Sequence, residues 1–110
     1  MSSESKMDAV LLELGFDDFC KGTAQLRTAI RVYVPDMSMT KELYPYVAMQ
    51  HNTTPSRAER AMRHVIEKAW LRGNVEAQRK YFGWSVDPEK GRPGVGEFIA
   101  RLSRVCYFED

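Results

Sequence analysis

Apolar residues recur at helical spacing along most of the chain, and the clearest instance runs from Asn52 to Gly73. Ala58, Ala61, Met62, Val65, Ile66, Ala69 and Trp70 follow the i, i+3, i+4, i+7 rhythm of a buried stripe. Both ends are marked. Thr54 suits the N-cap, Pro55 the first helical position, and Gly73 the left-handed residue just past the C-terminus. The pattern predicts a helix from Pro55 to Arg72, roughly 27 Å long. Its other side carries Arg57, Arg60, Arg63, His64 and Glu67, with Ser56 and Glu59 near the start.

A shorter amphipathic segment, Thr40 to His51, precedes it. Leu43, Val47 and Ala48 share one face, and Pro45 falls in the early turns, where a missing donor is tolerated. Asn52-Thr53-Thr54 then makes a tight polar turn. Short helix, three-residue turn, long helix with a basic outer face is helix-turn-helix syntax.

The remaining periodic segments are also helical. Met7 to Leu14 places Val10, Leu11 and Leu14 inward and stops at Gly15, with Phe16 folding back on it. Lys21-Gly22-Thr23 introduces a helix from Ala24 to about Val34, with Leu26, Ile30 and Tyr33 facing the core and Arg27 and Arg31 outward. Val75 to Phe82 forms a short helix with Val75, Tyr81 and Phe82 inward, broken by Gly83 to Pro88. Pro88 to Gly96 has the Pro/Gly content of a mobile loop. Glu97 to about Tyr107 closes the chain, with Phe98, Ile99, Leu102, Val105 and Cys106 apolar and Arg101 and Arg104 outside. No segment shows the period-two alternation of a strand. The expected fold is all-α: a compact bundle of about six helices containing a helix-turn-helix. It forms one domain over residues 7–108, after a Ser-rich, disordered lead-in over residues 1–6.

Length and composition agree with one small core: 110 residues, 44% hydrophobic and 28% charged. A formal net charge of only +1 changes the picture more, because it gives no global signal for nucleic acid. Cations must be locally concentrated to matter, and the Arg57 to Arg63 face is where they are. Cys20 and Cys106 form no CxxC pair and are expected as reduced thiols. His51 and His64 lack metal-ligand spacing, so no metal or cofactor is expected. No apolar run approaches the length of a membrane span, and the expected location is cytoplasmic.

The outer face of the long helix carries the equipment of a recognition helix: Arg forks for guanine, a carboxylate for cytosine amino groups, hydroxyls and cations for phosphate. The plainer reading of such a face is a solvated one laced with i,i+4 ion pairs. Glu59–Arg63 would run in the favourable order and Arg63–Glu67 in the weaker reverse.

The residues around this helix resemble one family. Leu43-Tyr44-Pro45, Val47-Ala48, Asn52-Thr53-Thr54, Ser56-Arg57, Glu59-Arg60-Ala61, Arg63-His64, Ile66-Glu67, Ala69-Trp70 and Arg72-Gly73-Asn74 are similar to the core of the DNA-binding effector domain of stage zero sporulation protein A, a response regulator of endospore-forming bacteria. Leu14-Gly15-Phe16, Lys21-Gly22, Leu26-Arg27 and Ala29-Ile30 extend the likeness upstream, and Phe82-Gly83 and Glu97-Phe98-Ile99-Ala100 downstream. It covers roughly Leu11 to Leu102. One departure stands out: the connection Pro35 to Met39 is several residues shorter than in relatives, which puts in question any polymerase contact made through it.

The resemblance implies that the long helix enters the major groove of a TGTCGAA-like box. Carried over by position, Arg57, Glu59 and Arg60 would contact base edges, while Asn52, Thr53, Thr54, Ser56, Arg63 and His64 would contact phosphates. It also implies double-stranded DNA as partner, a homodimer on tandem sites formed partly through the last helix, and contact with RNA polymerase. The edge Val105, Cys106, Tyr107 and Phe108 would serve either that dimer or the monomer's own core. The family's phosphorylated receiver has no room in 110 residues, so the chain reads as an excised effector domain or a stand-alone one. A second class, a protein-interaction module antagonising a full-length relative, explains the fold but not why the Arg57, Glu59, Arg60, Arg63 and His64 face is kept. An enzyme is the weakest class, since no nucleophile–base pair, carboxylate dyad or metal cluster is visible.

Overall fold

The computed structural model describes residues 2–83 and 91–108. Among these, six α-helices follow in order: α1 (Ser3–Glu13), α2 (Lys21–Val32), α3 (Tyr44–Gln50), α4 (Pro55–Arg72), α5 (Val75–Phe82) and α6 (Val95–Ser103). A π-helical turn, Met39–Leu43, leads into α3, and a second, Arg104–Phe108, follows α6. The described residues contain no strand. The all-α expectation holds.

The chain begins its first helix earlier than its polar composition predicts. Ser3 to Lys6, expected as part of a disordered lead-in, form the first turn of α1. Ser2 caps it, its hydroxyl accepting from the Ser5 N–H at 3.1 Å. The turn is then held from outside: Glu4 pairs with Arg31 of α2 at 2.9 Å and accepts a hydrogen bond from the Tyr107 hydroxyl. At the other end the Gly15 N–H donates to the Leu12 carbonyl and the Phe16 N–H to the Leu11 carbonyl, with Gly15 at φ +90°. This is the glycine stop expected from the sequence, and Phe16 is buried beneath it.

Helix α2 runs from Lys21 to Val32 rather than from Ala24 to Val34. The residue before a proline is pushed out of the helical region, and Pro35 ends the helix early, with Tyr33 already extended at ψ 135°. Its first turn includes Gly22 and Thr23, both buried, with Gly22 against Ala61 and Val65 of α4. Arg27 is not simply solvent-facing: it pairs with Asp8 of α1 and with Asp18 at 2.6 Å.

Helix α6 begins at Val95, two residues before the expected start. Gly94 is its N-cap, and the Glu97 side chain reaches back to the Gly94 N–H at 3.3 Å. Val105 and Cys106 are buried, so they complete this chain's own core, while Phe108 stays 61% exposed. On α5, Ala77 and Phe82 face inward and Tyr81 is half-buried. Val75, expected inward, is 47% exposed because Asn74 caps α5 and turns its first residue to solvent. The break from Trp84 to Pro88, and Pro88 to Lys90 of the expected mobile loop, lie outside the described residues.

One core joins these elements. Phe98 of α6 sits at its aromatic centre, with ring centroids 5.2 Å from Phe16, 5.4 Å from Phe82 and 6.0 Å from Trp70. Trp70 meets Phe82 edge-on at 5.2 Å. Such contacts between rings add to area burial, and here they clamp the second half of α4 to three other segments. Arg72 donates to the Gly15 carbonyl at 2.8 Å and Asn74 to the Glu13 carbonyl at 2.7 Å, tying the end of α4 to the open end of α1.

Two hydrogen-bonded carboxylates, exposed Glu4 and half-buried Glu13, make the fold sensitive to acid. Hydrogen bonds from Arg31 and then Tyr107 lower the Glu4 pKa below its ordinary value of 4.5. A hydrogen bond from Tyr81, and then one from Lys80, does the same to Glu13. A carboxyl depressed on folding contributes stability above its ordinary value and loses it as pH falls through the depressed one. The melting temperature is therefore expected to hold from about pH 7 to about pH 5 and to drop below about pH 4.5. The Glu4→Gln/Glu13→Gln variant should show a shallower drop over the same range, measured by thermal melts at stepped pH.

Candidate nucleic-acid interface

The geometry of the site starts at Pro45. A proline inside a regular helix loses one donor and clashes with the carbonyl four residues back. The turn before it widens instead: the Leu43 N–H donates to the Ser38 carbonyl and the Tyr44 N–H to the Met39 carbonyl, each five residues back. Leu43, Val47 and Ala48 are buried, as the sequence pattern predicts.

Helix α3 then stops on Asn52, the only described non-glycine residue with positive φ, at +55°. The Thr53 N–H donates to the Ala48 carbonyl at 2.9 Å, closing the turn. Asparagine tolerates this left-handed conformation better than most residues. The turn is also held by α2, where Thr28 Oγ1 lies 2.7 Å from His51 Nε2. Because the Thr28 hydroxyl reaches the Ala24 carbonyl at 3.3 Å, it is placed to accept from the ring.

Helix α4 has the ends its sequence predicts. The Thr54 hydroxyl accepts from the Arg57 N–H at 3.2 Å, Pro55 occupies the first turn, and Gly73 adopts φ +75°. Ala58, Met62, Val65, Ile66 and Ala69 are buried, with Ala61 and Trp70 half-buried beside them.

The outer side gathers the candidate contacts. Asn52, Thr54, Ser56, Arg57, Arg60, Arg63 and His64 are exposed, while Thr53 and Glu59 are half-buried. Of the two ion pairs open to this face, Glu59–Arg63 forms at 3.5 Å. Glu67 turns instead to Arg92 at 3.2 Å. An open cleft of about 460 Å³ lies beside the first half of α4, lined by Thr40, Tyr44, Pro55, Ser56, Glu59, Arg60 and Arg63. Burial raises the Tyr44 pKa, and the Glu59 charge adds to it, so the phenol stays protonated and able to donate. Neither Thr40 nor Tyr44 is among the contacts expected from the sequence. No periodicity relates residue 40 to residue 60, and only the turn through Asn52 brings them to one cleft.

The family model for the C-terminal domain of sporulation initiation factor Spo0A matches residues 7–105. The chain belongs to this family. Spo0A C-terminal domains are the DNA-binding, effector part of a sporulation response regulator, and the six α-helices and lack of strands among the described residues are consistent with that membership. Among the described residues, no group of three or more His, Cys, Asp or Glu could hold a metal, and no helix is long and apolar enough to cross a membrane. Burial pushes the Cys106 thiol up to about 11, which keeps it protonated and a poor nucleophile at neutral pH.

Proposed function

We propose that this domain recognises a TGTCGAA-like box by laying the first half of α4 in the major groove. The observation that carries the reading is the exposure of Ser56, Arg57, Arg60, Arg63 and His64 along three turns of a helix whose opposite side is buried. In this reading Arg57, Glu59 and Arg60 contact base edges, because side chains near the start of a recognition helix reach furthest into the groove. Ser56, Arg63 and His64, with Asn52, Thr53 and Thr54, contact phosphates. The Thr54 hydroxyl accepts from the helix and still has its proton to donate. Asn52 has a second task, since its backbone conformation makes the turn. Pairing of two domains on tandem boxes would draw on exposed Phe108 rather than on buried Val105 and Cys106.

A titration of the chain against a box duplex and a scrambled duplex, at several salt concentrations, tests this. With four or five phosphates neutralised, the log–log salt slope should be about −4, and the box should bind more tightly. Equal binding to both would mean a different target sequence. No binding to either at low salt would overturn the reading and favour a protein-interaction module.

A further inference from the structure

Glu67 occupies the middle of the outer side of α4. At about 100° per residue it points within roughly 20° of Arg60, two turns further along and about 10 Å away. A bare carboxylate there would repel a phosphate backbone. The cation that offsets it comes from outside the helix-turn-helix: Arg92 Nη2 lies 3.2 Å from Glu67 Oε2. Arg92 precedes α6 on a segment whose neighbouring Pro93 and Val95 are buried, so its backbone has a fixed place beside α4. Its side chain nevertheless keeps 41% of its surface exposed. A guanidinium has five N–H donors, and a contact through one nitrogen leaves others for a second acceptor.

We infer that Arg92 is a DNA-phosphate contact, delivered to the interface by the segment before α6 and held there by Glu67 as a positioning residue. The inference rests on the proposed docking of α4. With the first half of α4 in a groove about 8.5 Å deep, the level of Glu67 is where an inclined helix rises to the phosphate wall. An exposed ion pair contributes little to stability, and buried Pro93 and Val95 already anchor the segment. The pair is therefore better explained by what it presents than by what it holds together.

The test compares the full chain with Arg92→Ala, Arg92→Lys and Arg60→Ala on box and scrambled duplexes across a salt series, with a thermal melt of each. Arg92→Ala is expected to weaken both duplexes by about five- to tenfold and to make the salt slope shallower by about one, with an unchanged melting temperature. Arg92→Lys should restore the slope. An unchanged slope and affinity in Arg92→Ala, while Arg60→Ala still removes box preference, would overturn the inference and leave the docking of α4 intact. So would a loss of affinity that tracks a lowered melting temperature. Absence of DNA binding by the unaltered chain would overturn both.

Discussion

Replacing Gly22 with alanine should lower the melting temperature by roughly 10–20 °C, corresponding to about 2–3 kcal/mol for a domain of this size. Gly22 lies in the first turn of α2, where it crosses α4. A Cβ there would sit 2.3 Å from the Ala61 carbonyl oxygen and 2.8 Å from Val65 Cγ1. The first contact is with backbone, which cannot swing aside as a flexible side chain would. The two helices must separate by on the order of 1 Å, and that loosens the packing between α2 and α4. Alanine's better helix propensity returns at most about 1 kcal/mol. Urea and thermal unfolding measure the change, and a fall of less than about 3 °C would contradict the close approach. Gly15→Ala is a poor comparison because that residue's φ of +90° is itself unfavourable for alanine.

The second large effect falls on binding rather than folding. Arg60→Ala should leave the melting temperature unchanged and remove the preference for the box duplex, about 1–3 kcal/mol or five- to 150-fold in affinity ratio. Arg60 is exposed on the side of α4 directly opposite its buried stripe. Alanine is the better helix former there, so a loss of binding cannot be attributed to unfolding. Arg60→Lys separates charge from geometry. A lysine keeps the cation but not the planar fork that matches the two acceptors of a guanine edge. The lysine variant should therefore retain affinity for the scrambled duplex while losing discrimination. If Arg60→Ala kept full box preference, base reading by this part of α4 would be wrong.

Much of the helix-turn-helix was legible because its determinants are local. Thr54, Pro55 and Gly73 mark the ends of α4 through the backbone groups within one turn of them. The buried stripe follows from 3.6-residue periodicity alone, and Phe16 over Gly15 is a contact among residues close in sequence. The outer face of α4 could be enumerated for the same reason: what is not on the stripe is on the other side. Family membership reinforces that reading without adding a contact.

What composition and period could not reveal are the partners brought together by the fold. Ser3 to Lys6 read as disordered because they are Ser-rich and polar, yet Glu4 finds Arg31 and Tyr107 from two distant segments. Gly22 read as a loop residue introducing a helix, and only the crossing of α2 over α4 makes its missing side chain a requirement. Arg92 sat in a Pro/Gly-rich tract with no periodic relation to Glu67, and burial of Pro93 brings the two together. Short-range hydrogen bonding and helical period thus determined the elements and the composition of the outer face of α4. Close approach of backbones and pairing of charges far apart in the chain were decided by the tertiary structure, because those energies depend on distances that exist only once the core has formed.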